Sequence, residues 1–96
     1  MHDETRVVRS GRNPASFHGA VNPPVYHAST ILSETVEEFE ERGRTTELAR
    51  HTSYGRKGSP TSWALEDAIA ELERGFACLT IPSAIAAVGN ALLAFL

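Results

Sequence analysis

The sequence is poor in the residues that build cross-linked or metal-binding proteins. It has one cysteine, Cys78, among 96 residues, so it forms no internal disulfide, and a single thiol makes no metal site. We expect Cys78 to be a small buried apolar side chain in a reducing compartment, and we therefore expect a cytoplasmic protein. Four scattered histidines lack the paired spacing of metal ligands, which predicts no metal site: His2, His18, His27 and His51.

Positive charge is also scarce. Nine Lys and Arg residues against twelve Asp and Glu give a net charge of −3 and a sequence pI near 5.7. A nucleic-acid-binding domain usually carries a basic face that collects phosphates, so this composition argues against one. The segment Gly55-Arg56-Lys57-Gly58 matches the GxxG loop of a KH domain, but Pro60 and the polar residues upstream do not supply the helix that precedes such a loop.

No hydrophobic run is long enough to predict a membrane span. Residues 1–12 are charged and lack the apolar stretch of a secretory signal. The most apolar segment, residues 81–96, is shorter than the roughly 20 residues that a bilayer requires. It predicts a buried helix instead. Because this helical pattern runs to Leu96 without a capping residue, we expect the chain to be a fragment of a longer protein.

The first 59 residues predict little regular structure. Residues 1–33 are interrupted by prolines and glycines and show no amphipathic period, which predicts an extended arm lying on another part of the protein. Thr35 and Glu38 have the spacing of a capping box, which predicts a short helix that starts after Thr35 and ends at Gly43. The polar residues 44–59 predict a loop.

The pattern changes at residue 60. Thr61 or Ser62 can cap a helix that carries an apolar stripe, and Gly75 is placed to end it. The stripe consists of Leu65, Ala68, Ile69 and Leu72. Ala77 to Ile81 predicts a buried strand, and the residues from Ala84 onward predict an uncharged helix. Helix, strand and helix in this order are typical of an α/β fold, whose remaining strands would lie outside this chain.

Two segments are suited to binding an anion. Arg56 can form a forked pair with a phosphate, Tyr54 can add a hydroxyl donor, and Gly55 allows close approach of the backbone. In the second segment, the free amides of Ala84 and Ile85 lie at the predicted start of a helix, where the dipole favours negative charge. Both patterns are also typical of simpler structures, a basic surface loop and a serine-capped helix.

Three segments in this order resemble the Cys/Met-metabolism pyridoxal-phosphate enzymes: GAVNPPVYHAST (residues 19–30), YGRKGSPTSWALEDAIAELE (54–73) and IPSAIAAVGNALLAFL (81–96). That family comprises cystathionine lyases and synthases and methionine lyases. Its γ-acting members usually carry Asn-Pro-Thr after the Tyr-x-Arg motif. This chain has Lys-Gly-Ser-Pro-Thr after Tyr-Gly-Arg, and it is therefore most similar to the bacterial cystathionine β-lyases.

The resemblance implies an aspartate-aminotransferase-like domain (fold type I) and a pyridoxal 5′-phosphate cofactor. It divides the chain into an arm with a short helix and a cofactor-contacting loop (1–59) and the start of the large α/β domain (60–96). It also implies that Tyr54 and Arg56 reach the cofactor phosphate of a neighbouring subunit, while the amides of Ala84 and Ile85 hold the phosphate of their own. The family usually has glycine in place of Ala84, so the added methyl group is expected to crowd the phosphate or resist a positive φ.

The activity that the resemblance implies is carbon–sulfur bond cleavage by a homodimer or tetramer. Such an enzyme converts cystathionine to homocysteine, pyruvate and ammonia in transsulfuration and methionine biosynthesis. The family's Schiff-base lysine and other catalytic residues lie downstream, and Lys57 does not match that position, so this chain has no assigned catalytic residue and is expected to be inactive alone. The alternatives are a non-catalytic remnant that pairs with a full-length pyridoxal-phosphate enzyme, and another family member such as a cystathionine γ-synthase or γ-lyase.

Overall fold

The computed structural model describes residues 2–44 and 50–96. Within these ranges the α-helices are α1 (Asp3–Arg9), α2 (Val36–Arg44), α3 (Pro60–Leu72) and α4 (Ala84–Phe95). Short 3₁₀ helices occur at Pro14–Phe17 and Gly55–Lys57. Residues 45–49, part of the loop predicted for 44–59, lie outside the described residues.

The prediction of a wholly extended arm over residues 1–33 was wrong at its beginning, where α1 forms. Asp3 and Glu4 occupy the first turn of α1 and Arg9 its last turn, an order that the helix dipole stabilises. α1 lies against α3, and Gly11, which follows α1, faces the backbone carbonyl of Ala64 too closely for any side chain. A pattern of only seven residues is too short to show a helical period, so the sequence did not reveal this helix.

The start of α2 confirms the predicted cap, whereas its end does not. The Glu38 amide donates to the Thr35 hydroxyl over 3.1 Å, and the Glu38 carboxylate accepts from the amide of Glu34 over 2.9 Å. The carboxylate therefore returns one residue further upstream than a capping box requires. α2 continues past Gly43 to Arg44, one residue beyond the predicted end. A glycine in a helix costs about 1 kcal/mol relative to alanine and does not by itself end the helix.

α3 begins earlier than predicted. Its N-cap is Ser59, whose side chain accepts from the amide of Thr61, and Pro60 takes the first helical position, where its missing N–H costs nothing. At the other end the left-handed residue is Arg74 (φ 55°), not Gly75. Gly75 follows it and donates its amide to Ala70 over 2.8 Å, which completes a Schellman motif.

The strand predicted at Ala77 to Ile81 was wrong for the described part of the chain, where these residues are irregular. A strand requires backbone hydrogen bonds to a neighbouring strand, and no described segment supplies them here. The fold is therefore mostly helical, and the helix–strand–helix order becomes helix, irregular segment and helix. In the described ranges the only β-type pairing recorded is an isolated antiparallel bridge between Thr30 and Tyr54.

Hydrogen bonds attach the arm to the start of α3. The Thr61 hydroxyl donates to the carbonyl of Pro24 over 2.7 Å and accepts from the amide of Tyr26 over 2.8 Å. Further along, the Gly55 amide donates to the carbonyl of Ser29 over 2.7 Å. The arm is thus bonded to the start of α3 through Thr61 and to the loop that begins at Tyr54 through Gly55. The division of the chain at residue 59 stays a prediction, and these contacts cross it.

Apolar side chains in the described residues remain largely in solvent. None of the hydrophobic residues is buried, and the stripe predicted as the buried face of α3 leaves Leu65 with 55% of its surface exposed. Along α4, Ile85 and Phe95 are almost fully exposed. No helix in the described ranges is long and apolar enough to span a membrane. The helices therefore present apolar faces that the described residues do not cover.

We predict that the purified 96-residue chain lacks a cooperative tertiary structure. A fully buried aliphatic or aromatic side chain contributes roughly 1.5–3 kcal/mol, and the described residues gain none of that contribution in full. Amide resonances in a two-dimensional NMR spectrum should be broad and poorly dispersed, and heating should give a gradual change in circular dichroism. A dispersed spectrum together with a sharp thermal transition would contradict this prediction.

Candidate functional site

The loop from Tyr54 to Gly58 is the first candidate for an anion site. Tyr54 is extended and pairs with Thr30, after which the chain turns into a 3₁₀ helix whose end is left-handed at Gly58 (φ 107°). Gly55 passes so close to the carbonyl of Ala28 that a Cβ atom would overlap it. Glycine is therefore required at Gly55 by this close approach of two backbone segments.

The charged side chains of this loop are free to meet a ligand. The Arg56 guanidinium lies over the Tyr54 ring, 4.9 Å from its centroid, and both Arg56 and Lys57 are exposed. Across residues 2–44 and 50–96, no carboxylate forms an ion pair with either cation. The structure thus brings Tyr54 and Arg56 together and leaves the exposed guanidinium available for a forked contact.

The second candidate is the N-terminus of α4. Ser83 caps the helix and accepts from the amide of Ala86 over 3.2 Å. The amides of Ala84 and Ile85 have no hydrogen-bond partner in the described residues, so both can bind an anion. Ala84 does not adopt a positive φ, so the expected backbone strain at this position is absent. Its methyl group is the one remaining difference from the usual glycine.

The two candidate segments lie apart in the sequence, at residues 54–58 and 83–85. No hydrogen bond or ion pair among the described residues joins Tyr54 or Arg56 to Ala84 or Ile85. An open cleft of about 640 Å³ lies beside the first segment, between α3 and the irregular residues 77–80. Arg56 and Lys57 line it on one side.

Cys78 also lines this cleft. The sequence predicts a buried thiol, but its side chain is partly exposed. Cys78 is partly exposed for the same reason that the predicted strand is absent. In the described residues, no neighbouring strand covers the segment from Ala77 to Ile81.

Sequence reasoning missed the role of Glu66. Glu66 is buried, with 9% of its surface exposed. One carboxylate oxygen, Oε1, accepts from both the amide and the hydroxyl of Thr80, over 3.1 and 2.9 Å. The available signal was its position between Leu65 and Ile69, at the edge of the apolar stripe, where a charged residue needs partners.

Arg50 completes the surroundings of Glu66. Its guanidinium lies 3.5 Å from Glu66 Oε2, pairs with Asp67, and lies over the Trp63 ring at 5.9 Å from the centroid. Arg50 is left-handed (φ 52°), a conformation that side chains other than glycine adopt rarely. These contacts connect the segment before Tyr54 to α3. Nothing in the sequence pattern paired Arg50 with Glu66, because they are separated by a loop.

Comparison with known proteins identifies the family. The family model for Cys/Met metabolism PLP-dependent enzymes matches residues 4–96. Cystathionine β-lyase of Salmonella typhimurium is 38% identical over 93 residues, and that of Escherichia coli is 36% identical over 93 residues. They cover 96% and 97% of this chain. The L-alanine/L-glutamate racemase of Wolbachia pipientis is 35% identical over 103 residues, covering 99% of the chain.

The chain spans about a quarter of the length of these relatives, 23% of each β-lyase and 26% of the racemase. The resemblance drawn from residues 19–30, 54–73 and 81–96 is confirmed over almost the whole chain. The protein belongs to the family of Cys/Met metabolism pyridoxal-phosphate-dependent enzymes.

Proposed function

We propose that this chain is the N-terminal cofactor-binding segment of a cystathionine β-lyase. The observation that carries the proposal is the exposed Arg56, which lies over Tyr54 and forms no ion pair with any described residue. It lies within a chain similar to two β-lyases along nearly its full length. Such an enzyme cleaves the carbon–sulfur bond of cystathionine and yields homocysteine, pyruvate and ammonia. Its substrate is a small sulfur amino acid.

Pyridoxal 5′-phosphate is the cofactor of the family. The two candidate anion sites of this chain suit the phosphate group of that cofactor. The amides of Ala84 and Ile85, which have no hydrogen-bond partner in the described residues, would donate to the oxygens of one phosphate at the positive end of α4. Arg56 would fork onto the phosphate of a neighbouring subunit, and the Tyr54 hydroxyl would add a further donor. The bound cofactor supplies an electron sink for the carbanion formed at the substrate's Cα. In a homodimer or tetramer, each chain would then contribute to two phosphate sites.

The proton transfers and the attachment of the cofactor require residues that this chain does not carry. Its one lysine, Lys57, is exposed beside Arg56 and lines the cleft next to that loop. In the family resemblance, this position is not that of the cofactor-binding lysine. We therefore propose that the 96-residue chain binds part of the cofactor surface and has no lyase activity without the catalytic part of the enzyme.

A different reaction within the same family is the second candidate, because a racemase is nearly as similar to this chain as the β-lyases are. Tyr54, Arg56 and the α4 amides would bind the cofactor phosphate in either enzyme. A γ-synthase or γ-lyase would use the same phosphate contacts as well. The products formed by the complete protein separate these reactions, since only β-cleavage releases pyruvate and homocysteine in equal amounts.

The complete protein should release one pyruvate and one thiol for each cystathionine consumed, whereas the 96-residue chain should release neither. Pyruvate is measured with lactate dehydrogenase and the thiol with a disulfide reagent. Racemisation of alanine without pyruvate formation, or release of cysteine and an oxobutyrate, would assign the enzyme to another branch of the family.

Substitution of Arg56 by alanine should weaken pyridoxal 5′-phosphate binding by the complete protein by roughly 10- to 100-fold, because a forked contact between charges is lost. Arg56→Lys, which keeps the charge without the fork, should fall between Arg56→Ala and the unchanged protein. Arg9→Ala removes another exposed arginine, one that forms no ion pair with residues 2–44 or 50–96, and serves as the control. Cofactor affinity is measured by titration of the apoprotein, and an unchanged affinity in Arg56→Ala would show that Arg56 is misassigned.

Substitution of Gly55 by alanine should displace the Tyr54 loop, because the new methyl group would overlap the Ala28 carbonyl. We expect a loss of about 1–3 kcal/mol in stability of the complete protein and weaker cofactor binding. Gly89→Ala is the matched control, since Gly89 lies within α4 with no neighbouring atom in the way and should be neutral or slightly stabilising. Equal behaviour of both variants in thermal unfolding and cofactor titration would refute the close approach.

A further inference from the structure

Glu66 connects the two phosphate-binding segments of this chain. Its carboxylate is buried, and its two oxygens serve different parts of the structure. Oε1 accepts the amide and hydroxyl of Thr80, over 3.1 and 2.9 Å, while Oε2 lies 3.5 Å from the Arg50 guanidinium. A single side chain of α3 therefore contacts both a residue that precedes the helix in sequence, Arg50, and a residue that follows it, Thr80.

The segment that contains Thr80 leads directly into the anion site at the N-terminus of α4. Thr80 precedes the Pro82-Ser83 turn, and the amides of Ala84 and Ile85 follow that turn. The segment from Ala77 to Ile81 has no strand pairing in the described residues, so the bonds to Glu66 are its side-chain anchor to α3. The position of Thr80 thereby constrains where α4 starts and where its free amides point.

The segment that contains Arg50 leads into the anion site in the loop from Tyr54 to Gly58. Arg50 precedes Tyr54 along the chain and has three contacts with α3: the ion pairs with Glu66 and Asp67, and the ring of Trp63. Both Arg50 and Glu66 line the cleft that Arg56 borders. Movement of Arg50 is therefore expected to shift the loop that carries Tyr54 and Arg56.

Hydrophobic packing does not explain why a carboxylate occupies this position. A buried charge is costly, and well-packed apolar residues often stabilise a protein as much as an ion pair does. No hydrophobic residue is buried among those described, so apolar packing does not hold the segment from Ala77 to Ile81 in place. Directional hydrogen bonds can fix the position of such a segment. The geometry favours a role in orientation over a contribution to overall stability.

We propose that Glu66 is a positioning residue that sets both phosphate-binding elements, the amides at the start of α4 through Thr80 and the Tyr54–Arg56 loop through Arg50. This inference rests on the proposed function, because it concerns how the same cofactor phosphate is held. Glu66 itself touches neither the cofactor nor the substrate. It acts on the affinity for the cofactor through its two partners.

The test compares variants of Thr80 and Glu66 in the complete protein. Thr80→Val replaces the hydroxyl by a methyl group of nearly the same size, and it should weaken cofactor binding by about tenfold, the effect of one hydrogen bond to a charged group. Thr80→Ser keeps the hydroxyl and should bind like the unchanged protein. Thr5→Val is the matched control, since Thr5 is an exposed residue of α1 and lies outside the Glu66 contacts.

Glu66→Gln separates the two connections. Its amide oxygen can still accept from Thr80, whereas the charge that faces Arg50 is lost, so cofactor affinity should fall by a smaller factor, about threefold. Each variant is measured by pyridoxal 5′-phosphate titration of the apoprotein and by the ³¹P chemical shift of the bound phosphate. The thermal midpoint of the apoprotein is measured in parallel, because a merely structural role would lower this midpoint and leave affinity and chemical shift unchanged.

The outcomes distinguish this inference from the function on which it rests. Weaker binding in Thr80→Val, rescue in Thr80→Ser and a shifted phosphorus signal would support the positioning role. If Thr80→Val and Glu66→Gln bind the cofactor normally while Arg56→Ala does not, the positioning role is overturned and the proposed function stands. If the unchanged protein does not bind the cofactor, or Arg56→Ala binds it equally well, the phosphate assignment itself fails.

Discussion

Hydrogen bonds between the arm and the segment from Tyr54 to Thr61 hold the loop that carries Arg56. The amide of Gly55 donates to Ser29, and the Thr61 hydroxyl both donates and accepts against Pro24 and Tyr26. These contacts join segments that are distant in sequence without burying apolar surface. Because a hydrogen bond specifies direction and distance, it can orient Arg56 even where packing contributes little.

The local patterns of this sequence were sufficient to predict three of its helices. A hydroxyl before an acid identified the start of α2, apolar spacing identified α3, and an uncharged apolar run identified α4, each within a few residues. The boundaries shifted because Ser59 satisfies the first amides of α3 before Thr61 can, and because Arg74 adopts the left-handed turn expected of Gly75. Short-range rules therefore give the existence of an element more reliably than its ends.

Features that depend on distant partners could not be predicted in the same way. The predicted strand at Ala77 to Ile81 is absent from the described residues, because no neighbouring strand pairs with it there. The buried state of Glu66 requires Thr80 and Arg50 to come together across loops. The Tyr-x-Arg motif, in contrast, was recognisable because it is contiguous and its residue types suit a phosphate. The candidate anion sites could therefore be found from sequence, whereas the carboxylate that connects them could not.

The exposed apolar faces of α3 and α4 have a consequence for the colloidal behaviour of the chain. Only a small net charge, −3 at pH 7, opposes association between molecules that present such faces, and the sequence pI is close to 5.7. As the solution is acidified toward that value, electrostatic repulsion disappears while the apolar surface remains. Solubility of the isolated chain should therefore pass through a minimum in mildly acidic buffer.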